Sequence, residues 1–303
     1  MLREAHTPWR VRSRTDTGAT PSFSLLPLGD SITDGGSRVR SYRYHLHRLL
    51  VAAGYEVEWL GSMVGVHDRN DGANATAGVP LLDARDWPVE KQRHEGHWGW
   101  TAQQVLQGHT RQPQRGQLSR WLHPGHGRAI APSVVTLHLG TNDLTKHVLK
   151  KGPKGQTATT ATVARHVRGV LRRLCRVSPT VLVLLASLIP YCRFPAGDTA
   201  GPALRRATER EYNARLAELC TQRIPGCARA QITCVNMSAA VRCSQLADGV
   251  HPSAPGASAM AAAWFSALQP RLPHLRMQGV GSARLPRPRR SRGPALRLKG
   301  RPT

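Results

Sequence analysis

The run TVLVLLASLI, Thr180–Ile189, is the longest continuously apolar stretch in the chain. It is too short to cross a bilayer and too unbroken for a strand with one wet face. A strand of this kind is buried on both faces, as in the middle of a parallel sheet. Working outward, VVTLHL at Val134–Leu139 has the same character, and FSLLPL at Phe23–Leu28 is a shorter version closed by Gly29-Asp30. Glu56–Leu60 and Gln231–Val235 complete five expected strands. Between them lie stretches with helical spacing. Tyr42–Val51 puts Leu46, Leu49 and Leu50 on one side, and Thr159–Cys175 aligns Val163, Val167, Val170, Leu171 and Leu174. Ala203–Cys220 and Ala254–Leu268 follow. Strands that alternate with helices imply one α/β domain with a five-stranded parallel sheet covered on both faces. No internal repeat interrupts this pattern.

Composition sets the limits of that domain. The 303 residues are 40% hydrophobic, enough for a real core. The net charge is +25, but much of it is terminal. Residues 271–303 carry ten basic side chains and no acidic ones among many prolines and glycines. Such a stretch cannot bury enough apolar surface to fold. The folded domain is therefore expected over 23–270, between an N-terminal extension (1–22) and a basic tail (271–303), both disordered. The tail is expected to contact an acidic surface, and the body is expected to be a monomer. Because the charge gathers at the tail, selective nucleic-acid recognition is not favoured.

No stretch is long and apolar enough to span a membrane, and MLREAHTPWRVRSRTD lacks the apolar segment of a secretory signal. Two other features lean toward export to an extracellular, oxidising compartment. Asn74-Ala75-Thr76 and Asn236-Met237-Ser238 are glycosylation sequons, and six cysteines lie between Cys175 and Cys243. An even number of cysteines permits disulfides, although buried thiols suit the pattern equally. The polar stretch Met63–Arg93 has no periodicity and is expected to be a surface or active-site-edge loop.

Reactive residues in a parallel α/β sheet gather outside the carboxyl ends of the strands. Ser31 directly follows the first strand, in Leu28-Gly29-Asp30-Ser31-Ile32-Thr33. A serine hydroxyl becomes a nucleophile when a base takes its proton; taken alone, Ser31 is equally a helix cap. Asn142 follows the third strand in Leu139-Gly140-Thr141-Asn142-Asp143. Its amide is a donor that can hold an oxyanion without titrating. Asp248-Gly249-Val250-His251-Pro252 precedes the last helix and supplies a base with a carboxylate to orient it. Each segment alone is a weak signal. Together they provide nucleophile, base, orienter and oxyanion donor on one edge of the sheet.

With these blocks in order, the chain resembles the GDSL/SGNH hydrolases. The blocks stand here as Gly29-Asp30-Ser31, Gly99, Gly140-Thr141-Asn142-Asp143 and Asp248–His251. Within that superfamily the chain is most similar to the family 3 carbohydrate esterases, of the acetylxylan esterase type. PLGDSIT, Ser41-Tyr42-Arg43, Leu60-Gly61-Ser62, HEGHWGW at His94–Trp100, LHLGTNDL and DGVHPSAPGASAMAAAW carry that likeness. It implies a flavodoxin-like, three-layer α/β/α fold and hydrolysis of short acyl esters, acetyl on carbohydrate such as xylan. It also implies Ser31 as nucleophile, His251 as base and Asp248 as its partner. The oxyanion hole would then be the Ser31 N–H, the Gly99 N–H and the Asn142 side chain. Gly96 competes with Gly99 for the second block, and Gly99 is preferred because it directly precedes Trp100-Thr101 at the start of a helical stretch. Where this chain has Trp98 the resembled pattern has a small residue, so the pocket mouth is expected to be narrower.

His94-Glu95-Gly96-His97 falls one residue short of the zinc-protease spacing, which needs both histidines on one helical face. No catalytic metal and no other cofactor is expected. Two rival functions keep the same scaffold: a lipid or thioester hydrolase, and a carbohydrate-binding relative without activity. A third has the basic body and tail bind an acidic partner such as nucleic acid, cell-wall phosphate or a membrane surface.

Overall fold

A computed structural model describes residues 20–36, 39–66, 87–123, 130–145, 153–193, 201–228 and 231–278. The Asn74 sequon, residues 67–86 of the expected loop, residues 1–19 of the expected extension and residues 279–303 of the expected tail lie outside the described residues.

All five expected strands form: β1 (Ser22–Gly29), β2 (Glu56–Trp59), β5 (Val134–His138), β6 (Leu182–Ala186) and β7 (Ile232–Val235). They lie side by side and parallel in the order β2-β1-β5-β6-β7. The sheet also holds two strands beyond those five, β3 (Met63–Val64) and β4 (Arg93–Gly96). They arise where β1 would otherwise keep a bare edge. β2 pairs with β1 only from Ser22 to Leu25, and β4 then pairs in parallel with Leu28 and Gly29 on that edge. β3 adds antiparallel to β4. Strands of two and four residues are too short to show alternation, which is why the sequence pattern reads as loop there.

The chain leaves β1 toward β2 on one side and returns to β5 on the other. This reversal opens a crevice at the carboxyl ends of β1 and β5, the switch point where open α/β sheets bind ligands. Ser31 and Asn142 lie in the single helical turns Ser31–Asp34 and Thr141–Asp143, which leave those two strand ends.

Alternating residues of each strand feed two cores. On one face Leu26, Leu28, Val135, Leu137, Val183 and Leu185 pack beneath α3 (Pro153–Val177) and α4 (Gly201–Thr221). The five expected inward residues of α3, Val163 through Leu174, are all buried there. On the other face Leu25, Val134, Leu182 and Leu184 meet α1 (Tyr42–Ala52) and α5 (Ala254–Leu268) through Leu46, Leu50, Met260 and Trp264. A short α2 (Ala102–Gln107) covers the crevice end of the first face. Burying each such aliphatic side chain contributes about 1.5–3 kcal/mol, so the two-sided core dominates stability.

Several boundaries differ from expectation, α3 for one starting at Pro153 rather than Thr159, and two of the differences have a clear physical reason. The apolar run leaves the sheet at Ala186 rather than Ile189, because β7 ends at Val235, the partner of Ala186. Asn213 Oδ1 and His138 Nε2 then accept from the backbone N–H groups of Leu188 and Ile189, at 2.8 and 3.3 Å. The packed body also runs past Pro270: α6 (Leu272–Gln278) begins inside the stretch expected as tail, with Leu272 and Leu275 buried in the second core.

All six cysteines pair, as Cys175–Cys227, Cys192–Cys243 and Cys220–Cys234. The first two close loops of 52 and 51 residues of sequence separation. Loops of that size restrict the unfolded chain strongly. Replacing Cys175 and Cys227 together by alanine should lower the unfolding free energy by about 2–5 kcal/mol in a urea titration. Denatured, unreduced protein should take up no alkylating reagent, and reduced protein six equivalents.

Candidate active site

Ser31 opens its helical turn because Asp30 caps it. The Asp30 carboxylate accepts from the Ile32 N–H at 3.0 Å, and its carbonyl accepts from Thr33 and Asp34. The N–H of Ser31, at the first helical position, has no carbonyl to bond within the turn. Its Oγ lies 2.9 Å from His251 Nε2, although the two residues are 220 apart in sequence. His251 Nδ1 lies 2.9 Å from Asp248 Oδ2. The structure thus joins the three residues into one hydrogen-bonded chain.

The Asp248–His251 segment is a tight loop with its own internal logic. Asp248 Oδ1 accepts from the backbone N–H groups of Val250 and His251 at 3.0 and 2.8 Å, an Asx-type turn. Ala247 N–H closes the loop onto the His251 carbonyl at 2.8 Å. Gly249 touches the segment after β6: its carbonyl accepts from Cys192 at 2.7 Å, and a Cβ there would sit 2.9 Å from the Arg193 nitrogen. The Cys192–Cys243 disulfide fastens the same two segments. Partial burial works to raise the Asp248 pKa, but the hydrogen bonds from the His251 backbone and ring and from Val250 outweigh it, bringing it down to about 2.

Asn142 is oriented by the neighbouring block. Its Nδ2 donates to the Trp100 carbonyl at 3.0 Å, which leaves the second amide hydrogen for another acceptor. Asp143 accepts from Ala102 N–H at 2.9 Å and so fixes the start of α2. The preceding Gly140 adopts φ +126° against Tyr212, whose hydroxyl donates to the Leu139 carbonyl at 2.9 Å. A Cβ at Gly140 would lie 2.5 Å from the Tyr212 hydroxyl oxygen.

Gly99 lies in the turn His97–Trp100, which the Trp100 N–H closes onto the His97 carbonyl at 3.1 Å. Gly96, its competitor, ends β4 and donates its N–H to His94 Nδ1 at 2.9 Å, so that donor is committed elsewhere. The expected nearness of Gly99 to a helix start is approximate: α2 begins at Ala102, behind a Thr101–Gln104 capping box.

The HEGH histidines are inward-facing structural groups. His94 accepts on Nδ1 from Gly96 and therefore donates from Nε2 to the Gly65 carbonyl, 3.1 Å away. Burial, with Arg43 and His97 adding to it, holds its pKa well below the usual value and keeps it neutral. His97 pairs with Glu95 at 2.8 Å, and its ring stacks against both Trp100 and Trp121, with centroids 4.5 and 4.3 Å away. Among the described residues no group of three or more His, Cys, Asp or Glu is placed to hold a metal ion.

Two residues matter more than their sequence signal implied. Arg43 is fully buried and donates to the carbonyls of Thr33, Asp34, Gly65 and Gln92. It thereby caps the turn that carries Ser31 and ties it to β3 and β4. Burial brings its pKa down to about 10, with Asp34 opposing, so it remains a cation. Helical spacing could have exposed it, since 43, 46, 47 and 50 form the buried stripe of α1. Trp98 stacks on His251 with ring centroids 4.8 Å apart and planes 15° apart. No sequence pattern links positions so far apart.

A mostly parallel sheet covered by helices on both faces, with these blocks at its switch point, is a three-layer α/β fold of the GDSL/SGNH type. The GDSL-like Lipase/Acylhydrolase family model matches residues 25–264, and the chain belongs to that family. It is a carboxylic ester hydrolase. No curated protein matches the chain by sequence. Among solved structures, a family 3 carbohydrate esterase from Clostridium thermocellum is similar at 20% identity and TM-score 0.55, covering 84% of this chain and 99% of its own. A family 3 carbohydrate esterase from Talaromyces cellulolyticus gives 20% identity and TM-score 0.54 over the same shares. At these identities the likeness is one of fold.

Two outcomes follow from the site's construction. The stabilisation from ionised Asp248 is present above the unfolded carboxylate value of about 3.9 and is lost as pH falls through about 2. Asp248→Asn should therefore flatten the loss of stability between roughly pH 4 and 2, measured by urea unfolding at each pH. Gly140→Ala should cost roughly 1–3 kcal/mol from backbone strain, with contact against Tyr212 adding to it, and thermal melting would register the loss.

Proposed function

We propose that this chain hydrolyses short-chain esters, acetyl on carbohydrate such as xylan, through an acyl-enzyme formed on Ser31. The observation that carries this reading is the continuous hydrogen-bonded path from Ser31 through His251 to Asp248 at the switch-point crevice. Ser31 Oγ attacks the ester carbonyl carbon as its proton passes to His251 Nε2. Asp248 holds the ring by Nδ1 and stabilises the imidazolium. The carbonyl oxygen becomes an oxyanion held by the Ser31 N–H, the Gly99 N–H and the second Asn142 amide hydrogen. On collapse the carbon–oxygen bond to the alcohol breaks, and His251 gives the alcohol oxygen its proton. Water then attacks the acyl-enzyme, losing a proton to His251. That proton returns to Ser31 Oγ as the acid leaves.

The acetyl-carbohydrate assignment is supported by the sequence blocks shared with family 3 carbohydrate esterases and by the similarity of fold. Export to an extracellular, oxidising compartment is supported by the three disulfides, since such bonds persist outside the reducing cytosol. In this reading the protein works as a monomer on a small or polymeric ester.

Purified protein should label with a fluorophosphonate probe and cleave p-nitrophenyl acetate, and Ser31→Ala should abolish labelling and lower kcat by roughly 10⁴-fold or more. Equal rates in Ser31→Ala would overturn the mechanism. Acetate release from acetylated xylan, and slower turnover of long-chain acyl esters and acyl thioesters, would separate this function from a lipase or thioesterase.

A further inference from the structure

We infer that Trp98 determines specificity for the alcohol half of the ester, as a flat wall against which a ring-shaped alcohol such as a pyranose rests. The inference depends on the acyl-transfer reading above. In that reaction the departing alkoxide takes its proton from His251 Nε2, the atom 2.9 Å from Ser31 Oγ. The leaving oxygen must therefore come within hydrogen-bonding reach of Nε2, about 2.6–3.2 Å. The alcohol's carbon atoms then lie just beyond the edge of the imidazole. The acyl chain extends from the other side of the carbonyl carbon, away from the base.

The indole of Trp98 covers one face of this imidazole, nearly parallel to it. An indole is wider than an imidazole, so at this offset its face extends beyond the smaller ring; we place that overhang on the Nε2 side, where the alcohol must lie. A flat aromatic face suits the C–H face of a sugar or cyclohexyl ring, and it offers little to a short acyclic alcohol. The wall is also held in place. His97 precedes Trp98, and its ring stacks against Trp100 and Trp121 while bonded to Glu95. The His97 N–H donates to the Gly29 carbonyl at 3.1 Å, and the Trp100 carbonyl holds Asn142. The backbone on both sides of Trp98 is thus tied to the strand end behind Ser31 and to the asparagine beside it.

The test varies one half of the ester at a time. Cyclohexyl acetate and ethyl acetate share the acyl group and have alcohols of similar acidity, differing mainly in the ring. In Trp98→Ala the ratio of kcat/KM for cyclohexyl over ethyl acetate should fall by about tenfold, the scale of one lost apolar contact surface. Trp98→Phe, which keeps a flat ring, should restore most of it, and Trp98→Leu should not. The ratio for p-nitrophenyl acetate over p-nitrophenyl butyrate should stay within about twofold. An equal fall for both acetates would overturn the inference, leaving Trp98 a support for the imidazole alone. A shift confined to the acetate–butyrate ratio would overturn it in favour of an acyl-side wall. Fluorophosphonate labelling separates the two levels. If wild-type protein fails to label, the acyl-enzyme reading itself fails and the inference with it. If wild type and variants all label and the cyclohexyl–ethyl ratio does not move, only the inference about Trp98 fails.

Discussion

The last two residues of β1 frame three of the four segments of the candidate site. Leu28 and Gly29 pair with Glu95 and Gly96 on one side and with Leu137 and His138 on the other. One strand end therefore fixes three segments at once: the turn that starts at Ser31, the turn that follows β4, and the turn that follows β5. Each leaves the sheet at the same height and faces the same crevice. The remaining segment, Asp248–His251, lies just before α5 and is held by Cys192, directly and through its disulfide. Backbone pairing supplies the common frame, and side chains make only the final adjustments.

Charge around this frame is arranged without waste. Arg43 is a buried cation whose donors are met by four backbone carbonyls. An unpaired buried guanidinium would be costly, but here it neutralises the carbonyl end of the Ser31 turn and stitches it to two strands. The neighbouring His94 stays neutral because burial and that same cation both oppose a second charge. The crevice side is different: Asp248 and His251 keep part of their surface in solvent. Buried charge here serves architecture, while the Asp248–His251 pair stays partly open to solvent.

Much of this was legible beforehand. The five parallel strands, the inward face of α3 and the residues at three strand or helix ends follow from apolar runs and from where they stop. Ser31, Asp248, His251 and Asn142 are found where those rules put them. Other features left little local trace. Strands β3 and β4 exist because β1 has an edge to be covered, a need that arises only once β2 has turned away. The pairing of cysteines could not be drawn from their number, which permits fifteen connectivities. The packed body runs beyond the expected domain end because Leu272 and Leu275 of α6 pack on a core built by distant residues.

By itself, then, the sequence determined the layered α/β class and the positions of Ser31, Asn142, Asp248 and His251 beside strand and helix ends, because local periodicity and strand ends are written along the chain. Tertiary structure alone decided their partners. His251 meets Ser31 across 220 residues, Gly96 loses its donor to His94, and Trp98 lies over the imidazole. Such contacts depend on how separate segments pack against one another in space, and spacing along a single chain carries no record of that packing.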